Sequence, residues 1–194
     1  MDKCMYSRTM RVGLLGDCRS VEVILLLYVD DIVLISTDLG ELTRVKGELE
    51  AKYQLRDGVI IDKLLGVRIQ YDHERKIMTL DGKTKILAIL DEHPLPGPSA
   101  KSHTPGVARM RLQGAEKGSE MVKRQEYQTI VGKLQYLSNT IRPDITYMVN
   151  SLGRHSQHPT REHWEAAFRV LGYLSETKDL ALTYSDQPDE AVEY

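Results

Sequence analysis

An apolar run that breaks at two adjacent aspartates constrains the fold of this chain most. Residues 23–29 are all apolar, Asp30 and Asp31 interrupt the run, and residues 32–35 continue it. A largely apolar run with several β-branched residues, here residues 21–29 with Glu22 as their one charged residue, is typical of a strand buried on both faces. Two such strands around a two-residue polar break predict a tight hairpin with both aspartates at its tip.

The composition fits one large or two small globular domains. The chain has 194 residues, of which 41% are hydrophobic and 28% are charged, so it can bury a core. Its longest apolar run is far shorter than the roughly 20 residues of a membrane-spanning helix, and we expect no membrane partner. No secretory leader is recognisable, and two cysteines cannot build a disulfide framework or a four-thiolate zinc site. An intracellular location is expected, with cytoplasm and nucleus both open.

Local patterns in the first half predict further elements. Asp38, with Glu41 three residues later, predicts a helix N-cap and its reciprocal partner. One apolar helix face should follow, formed by Leu42, Val45, Leu49 and Tyr53. Residues 65–80 predict a second hairpin, with a polar turn at 72–75. A short helix is expected over 84–90.

The second half is expected to be helical. A residue before proline avoids the α region, so Arg142 should end one helix, and Pro143 suits the first turn of the next. Gly153 should end that second helix, and Thr160 should cap a third one. A short strand is predicted over 180–184.

A segment rich in proline and glycine separates these halves. Residues 93–106 contain four prolines, which block helix propagation and remove hydrogen-bond donors, so this segment predicts a linker. The expected fold is α+β, with a strand-rich part over residues 1–92 and a helical part over residues 107–194.

The charge is unevenly distributed along the chain. Residues 98–178 hold 12 Lys and Arg against 7 Asp and Glu, whereas residues 1–97 hold 14 against 16. A basic second half is what a surface that binds polyanions would supply. An ordinary solvated surface accounts for the same excess equally well.

Tyr28-Val29-Asp30-Asp31 is the strongest candidate for a reactive site. Two adjacent carboxylates at the tip of an apolar hairpin repel each other and disfavour their own charge. A hard divalent cation such as Mg²⁺ relieves both problems and leaves coordination positions open for phosphates. The alternative is that both aspartates are ordinary turn residues that face water.

Several motifs occur in an order and spacing known from one family. Residues 25–32 are LLLYVDDI, residues 2–6 are DKCMY, residues 64–69 are LLGVRI, and Thr104 precedes Pro105. A longer series follows: Tyr127, Gly132, Leu134-Gln135-Tyr136-Leu137, Thr140, Arg142-Pro143-Asp144-Ile145, His158-Pro159, His163-Trp164, Ala167, Arg169-Val170-Leu171 and Tyr173-Leu174. Together they resemble the reverse transcriptase domain of copia-type long terminal repeat retrotransposons, an RNA-directed DNA polymerase.

The resemblance implies a role for each part of the chain. Residues 1–92 would be the second half of the polymerase palm, and residues 107–194 a helical thumb or connection that grips the RNA template and DNA primer. Asp30 and Asp31 would be two of three catalytic carboxylates that bind Mg²⁺ or Mn²⁺, with Tyr28 near the primer end. Phosphate contacts are expected from basic side chains of the helical part, although solvated surface charges explain these residues equally well. The candidates are Lys133, Arg154, Arg161 and Arg169.

Two parts of the family pattern are missing from this sequence. The first catalytic aspartate and the nucleotide-binding fingers lie upstream of the Tyr-Val-Asp-Asp hairpin in the family, and a ribonuclease H domain follows. Two carboxylates give an incomplete cage for two metal ions. We therefore expect a fragment of a Pol polyprotein that is inactive alone, with the missing palm, fingers and ribonuclease H portions as its partners. Asp186 and Asp189 are interpreted as acidic tail residues rather than nuclease ligands.

Two other interpretations remain open. The chain could be a binding module that keeps affinity for nucleic acid without catalysis, which would show as binding that weakens with salt. It could also be a marginally folded remnant without function, because strand 23–29 would lack its palm neighbours and leave an uncovered edge prone to aggregation.

Histidines and aromatic residues of the second half suggest a weaker hypothesis. His155, His158 and His163 could bind zinc, but loop histidines are the better interpretation of their spacing. Four aromatic side chains at helical spacing are interpreted as core residues rather than base-stacking platforms. They are Tyr136, Trp164, Phe168 and Tyr173.

Overall fold

The computed structural model describes residues 4–12, 19–55, 60–97, 100–107, 111–116 and 118–185. It divides into two compact units, unit 1 (Met1–Ile61) and unit 2 (Asp62–Tyr194). The described residues contain two antiparallel sheets and five α-helices, most of them in the second half, which confirms the expected α+β class. The finer division into a partial palm, a linker and a helical lobe stays a prediction. Of the motif at residues 2–6, Asp2 and Lys3 lie outside the described residues, as do Asp186 and Asp189.

Unit 1 contains a three-stranded antiparallel sheet. Its strands are β1 (Met5–Val12), β2 (Arg19–Tyr28) and β3 (Asp31–Ser36), in the order β1-β2-β3. The apolar strand β2 is central, so the expectation that its edge is uncovered is wrong. Burial on both faces is also wrong for most of it, because only Val21 and Val23 of this strand are buried.

Helix α1 (Leu39–Glu50) covers one face of this sheet. Asp38 caps it as predicted, with its carboxylate accepting a hydrogen bond from the backbone N–H of Glu41 at 2.9 Å. The reciprocal contact is not formed, because the carboxylate of Glu41 accepts from Arg44 instead. Tyr53 follows the end of the helix and is 59% exposed, so it does not belong to the predicted apolar face.

Unit 2 contains a four-stranded antiparallel sheet in the order β4-β5-β6-β7. Its strands are β4 (Lys63–Leu64), β5 (Val67–Asp72), β6 (Ile77–Asp81) and β7 (Ala181–Ser185). The predicted second hairpin is confirmed, and Asp72 shapes its turn by accepting from the backbone N–H groups of Glu74 and Arg75, each at 3.0 Å. The predicted terminal strand is confirmed too, and it pairs with β6.

The helices of unit 2 enclose its hydrophobic core. They are α2 (Lys83–Glu92), α3 (Arg124–Thr140), a 3₁₀ turn (Pro143–Ile145), α4 (Thr146–Gly153) and α5 (Arg161–Glu176). The predicted boundaries at Pro143, Gly153 and Thr160 are all confirmed. Fully buried members of this core include Tyr127, Ile130, Leu134, Ile145, Leu152 and Leu171. No helix in the described ranges combines the length and apolar character needed to cross a membrane.

Part of the predicted linker packs tightly on these helices. A Cβ atom added to Gly172 of α5 would lie 2.0 Å from the carbonyl oxygen of Ala100, and one added to Gly106 would lie 2.5 Å from the sulfur of Met148. Lys101 also forms an ion pair with Glu176 at 2.7 Å. Glycine at positions 106 and 172 therefore permits the close approach that fixes this segment to unit 2.

Candidate metal-binding hairpin and nucleic-acid contacts

The hairpin between β2 and β3 places the predicted acidic pair. Tyr28 pairs with Asp31 as the last rung of the ladder, so the two loop residues are Val29 and Asp30. The prediction of a tight hairpin is confirmed, but the break is shifted by one residue. Asp30 lies in the turn, and Asp31 is the first residue of β3.

The backbone of this turn is strained at Val29. Its φ is +54° and its side chain is 80% exposed. The left-handed region costs an ordinary residue roughly 1–2 kcal/mol, and a β-branched residue there is a real outlier. Because the side chain gains little by burial, the surrounding hairpin must hold this conformation. Backbone strain of this kind clusters at functional sites.

Asp30 and Asp31 are exposed, and their carboxylates form no ion pair or hydrogen bond with any described residue. Oxygen ligands on a rigid hairpin suit a hard cation such as Mg²⁺, which keeps several positions for water and phosphate. Within the described ranges, no group of three or more His, Cys, Asp or Glu residues is placed to hold a metal ion. The donor set present is thus two adjacent carboxylates, which fits part of a magnesium site.

Tyr28 and Asp31 lie on the sheet face opposite α1. Residues paired across an antiparallel ladder share a face, and Tyr28 pairs with Asp31. Helix α1 lies on the other face, where Arg44 contacts Met10, the partner of Val21. Tyr28 is 55% exposed. The phenol ring and one carboxylate are therefore presented together on a surface that no helix of unit 1 covers within the described residues.

The four predicted phosphate contacts lie in unit 2, and their surroundings differ. Lys133 forms an ion pair with Glu92, and Arg161 forms ion pairs with Glu120 at 3.2 Å and Glu165 at 3.0 Å. Arg169 donates to the hydroxyl of Thr104 at 3.1 Å. These three side chains thus already have internal partners.

Arg154 is different from the other three. It follows α4, it is exposed, and its guanidinium has no ion pair or hydrogen bond within the described part of the chain. Its charge is therefore not neutralised internally.

Several curated proteins of transposons match the chain. The chain is 30% identical over 162 residues to the retrovirus-related Pol polyprotein from transposon TNT 1-94 of Nicotiana tabacum, which covers 80% of this chain and 12% of that polyprotein. It is 32% identical over 157 residues to the putative transposon Ty5-1 protein of Saccharomyces cerevisiae, covering 81% of this chain and 50% of that protein. The chain is homologous to copia/Ty1-type Pol polyproteins.

The Pol-related chain spans half or less of the length of these relatives. A Ty1-BR Gag-Pol polyprotein of Saccharomyces cerevisiae is 24% identical over 179 residues, covering 86% of this chain and 10% of that polyprotein. No family model matches the chain. No solved structure matches it significantly.

His163 of the Pol-related chain has a structural role that sequence reasoning missed. It is fully buried, and its Nδ1 accepts a hydrogen bond from the backbone N–H of Thr160 at 2.9 Å. The proton must then be on Nε2, which donates to the carbonyl of Gln113 at 2.9 Å. Burial lowers the pKa of His163, and the stacked ring of His155, 4.1 Å away, lowers it further. Both ring nitrogens are occupied by these bonds, so His163 is a helix-capping residue rather than a metal ligand.

The Arg142-Pro143-Asp144 motif forms an ion-pair network in which the guanidinium is buried and the carboxylate lies at the surface. The guanidinium of Arg142 donates to Asp144 at 2.7 Å and to the carbonyl and hydroxyl of Thr177 at 2.9 and 2.6 Å. Tyr173 donates to the same carboxylate at 2.8 Å. Burial raises the pKa of Asp144, but the hydrogen bonds from Arg142 and Tyr173 outweigh it and hold the pKa below its ordinary value. The sequence signal was an arginine between apolar helices, which does not reveal its distant partner Thr177.

Proposed function

We propose that this chain is part of the reverse transcriptase of a retrotransposon Pol polyprotein, comprising the second half of the palm and a helical thumb or connection. The observation that carries the proposal is an exposed Asp30-Asp31 pair on a hairpin with a strained turn at Val29. Homology to Pol polyproteins over 80% of the chain supports it. Nucleotidyl transfer depends on carboxylates held rigidly at a groove edge to position metal ions.

Asp30 and Asp31 would hold Mg²⁺, or Mn²⁺ in its place, which would neutralise charge that develops on the transferred phosphate. The hairpin ladder fixes Asp31, and the turn presents Asp30 beside it. Tyr28 shares the face of Asp31 and would lie against the primer end. RNA template and DNA primer are the substrates under this proposal.

The isolated polypeptide should not synthesise DNA. Two carboxylates without a third acidic neighbour in the described residues supply only part of the two-metal arrangement that nucleotidyl transfer requires. A primer-extension assay with either metal ion should therefore show no product. Template-dependent synthesis by the isolated chain would contradict this part of the proposal.

Metal binding can be tested without catalysis. Mn²⁺ added to the chain should broaden the NMR signals of the hairpin around Asp30 and Asp31, because paramagnetic broadening is strongest near the ion. The double variant Asp30→Asn, Asp31→Asn should lose that broadening, and the control Asp91→Asn, an exposed acid of α2, should keep it. Equal broadening in all three proteins would show that the acidic pair is not the site.

A second candidate function is binding of nucleic acid without catalysis. The excess of 12 basic over 7 acidic residues in residues 98–178 favours it, since such a surface attracts phosphates. Binding with no primer extension, and with an affinity that falls steeply with salt, would fit both candidates. Loss of that binding in the Asp30→Asn, Asp31→Asn chain would not fit the second, because removing two negative charges should strengthen purely electrostatic binding.

A further inference from the structure

Thr104 and Pro105 form the one pair in the sequence in which a proline follows Ser or Thr. Each of the other prolines follows His, Leu, Gly, Arg or Gln. In the structure Thr104 is exposed and lies outside any helix or strand, in the segment 100–107 that packs on α5. A residue before proline also avoids the helical region. Thr104 therefore combines an accessible hydroxyl, a following proline and a non-helical backbone, the features that proline-directed protein kinases require of an acceptor.

Arg169 of α5 holds the hydroxyl of Thr104. Its Nη2 donates to Oγ1 of Thr104 at 3.1 Å, and Oγ1 in turn donates to the carbonyl of Gly106 at 2.9 Å. The guanidinium forms no ion pair with a described residue, and its Nε–H is buried without a hydrogen-bond partner among them. Buried donors are normally paired, so Arg169 lacks an acceptor that the unmodified threonine does not supply.

The unpaired Nε lies on the same edge of the guanidinium as Nη2. Arg142 shows how this edge is used, because its Nε and Nη2 donate to the two carboxylate oxygens of Asp144 at 3.0 and 2.7 Å. A phosphate bonded to Oγ1 of Thr104 would bring its oxygens to the same edge of Arg169, since Nη2 already contacts Oγ1. Arginine commonly binds phosphate through two parallel hydrogen bonds, which are stronger than neutral ones.

The charge of the segment favours an anion at this position. Residues 100–107 contain Lys101 and His103 and no Asp or Glu. Glu176 of α5 contacts the segment, but it forms an ion pair with Lys101 at 2.7 Å. That pair leaves the guanidinium of Arg169 uncompensated, so a phosphate there would meet a positive charge without displacing an existing ion pair.

We propose that Thr104 is a phosphorylation site and that Arg169 binds the phosphate through Nε and Nη2, which fastens the segment 100–107 to α5. A proline-directed kinase supplies the phosphoryl group from ATP. Oγ1 of Thr104 bonds to the γ-phosphorus, the bond from that phosphorus to the bridging oxygen breaks, ADP leaves, and the hydroxyl proton passes to the base of the kinase. This inference is independent of the proposed function, because it uses neither Asp30 nor Asp31 and requires no nucleic acid.

The contacts of Thr104 also have an ordinary structural explanation. As it stands, the hydroxyl links Arg169 to the carbonyl of Gly106 and helps to hold the turn at Pro105. Phosphorylation removes the donor to Gly106, so it would loosen the segment if this link were its whole role. Under the proposal, two charge-assisted bonds from Arg169 outweigh the lost bond, and the segment becomes more protected.

The test begins with the full chain, a cyclin-dependent kinase, Mg²⁺ and ATP. Mass spectrometry should locate one phosphate on Thr104, and Thr104→Ala should take up none. The phosphorylated chain is then titrated by phosphorus NMR. A phosphothreonine ordinarily loses its second proton near a pKa of about 6. Arg169 should lower this pKa by about one pH unit, because a neighbouring positive charge favours the dianion.

Two arginines of the same helix provide the matched comparison. In the phosphorylated chain, Arg169→Gln should return the phosphothreonine pKa to about 6 and lower the amide protection of residues 100–107 roughly tenfold. The control is Arg161→Gln, an exposed arginine of α5 with two glutamate partners, and it should change neither quantity. Urea unfolding followed by the fluorescence of the single tryptophan, Trp164, verifies that each variant keeps unit 2 folded.

The opposite results would overturn the inference. They are a folded chain that takes up no phosphate on Thr104, a phosphothreonine pKa that is the same in the unaltered chain and in Arg169→Gln, or faster exchange of residues 100–107 after phosphorylation. The last result would assign Thr104 to its structural role alone. None of these results concerns metal binding by Asp30 and Asp31, so the proposed function stands or falls separately.

Discussion

The two units differ in how much hydrophobic side chain they bury. Among the described residues, unit 1 buries only the hydrophobic residues Val21 and Val23, whereas unit 2 has a continuous cluster that joins α2, α3, α4 and α5. Hydrophobic burial is the main favourable term in folding. Unit 2 should therefore be the more stable part, and the unit that carries the acidic hairpin the less stable one.

This difference shows where the candidate chemistry is located. The exposed aspartates and the strained Val29 lie in the unit with little burial, and the buried Arg142 and the capping histidine His163 lie in the other. Local stability commonly varies in this way within one protein, with binding and catalytic elements at the low end.

Truncation of a core leucine should separate the units most clearly. Leu134→Ala in α3 should cost about 4 kcal/mol, because Leu134 is fully buried and its loss leaves a cavity. Leu34→Ala in β3, where the side chain is only half-buried, should cost about 1 kcal/mol. Urea unfolding followed by Trp164 fluorescence measures the first, and amide hydrogen exchange of β2 and β3 measures the second. Equal costs would remove the distinction between the units.

Two arginine–aspartate pairs provide the next comparison. Arg142→Gln in unit 2 should cost about 2 kcal/mol, since Arg142 is 2% exposed and its guanidinium donates hydrogen bonds to Asp144 and Thr177. Arg19→Gln in unit 1 should cost at most about 1 kcal/mol, because its pair with Asp38 involves a largely exposed side chain. Urea unfolding followed by Trp164 fluorescence measures the cost of Arg142→Gln, and amide hydrogen exchange of β2 and β3 measures the cost of Arg19→Gln. A cost for Arg19→Gln as large as that for Arg142→Gln would show that burial of the arginine does not set the difference between the two pairs.

Relief of strain should stabilise unit 1. Val29→Gly should slow amide exchange in β2 and β3 by an amount equal to about 1 kcal/mol, because glycine adopts φ of +54° without the penalty that valine incurs. The matched control is Val33→Gly within β3, which should accelerate exchange. Faster exchange in Val29→Gly would show that the valine side chain contributes more than its conformation costs.

The smallest expected effect is a pH dependence confined to unit 2. The pKa of His163 is lowered in the folded state, first by burial and then by His155. Its contribution to stability is therefore complete above the ordinary histidine pKa of about 6.5 and is lost as the pH falls below that value. Urea unfolding followed by Trp164 fluorescence should show lower stability at about pH 5.5 than at about pH 7.5.

Two controls accompany the pH experiment. His163→Gln should reduce the pH dependence, and the remainder comes from His93, whose pKa burial also lowers. Residues 1–61 contain no histidine, so exchange in β2 and β3, corrected for its intrinsic pH dependence, should not change over this range. A matching loss of protection in unit 1 would mean that the units unfold together.

Local features of the fold were largely predictable. The hairpins, the cap at Asp38, the helix boundary at Pro143 and the cap at Thr160 each depend on residues within a few positions of one another. The position of the candidate aspartates at a hairpin was also predictable, because a polar pair that interrupts an apolar run favours a turn. The predicted position of the two-residue loop was wrong by one residue, because Tyr28 pairs with Asp31 as the last rung of the ladder.

The surroundings of the basic residues could not be predicted. The sequence did not distinguish among the four candidate phosphate contacts, Lys133, Arg154, Arg161 and Arg169. Only the structure shows that Lys133 pairs with Glu92, 41 positions away. Likewise, the spacing of His163 gave no sign of its bond to Gln113, 50 positions away. Such contacts depend on how elements pack, and no local pattern encodes them.

The amino-acid sequence by itself determined the α+β class, the position of the acidic pair at a hairpin and the relation to Pol polyproteins, because periodicity, turn chemistry and motif order are written along the chain. Only the tertiary structure decided which strand is central, which cations are neutralised and that the buried Arg142 donates to Asp144 and Thr177. The physical reason is that burial and charge pairing depend on distances in space, which folding sets between residues far apart in sequence.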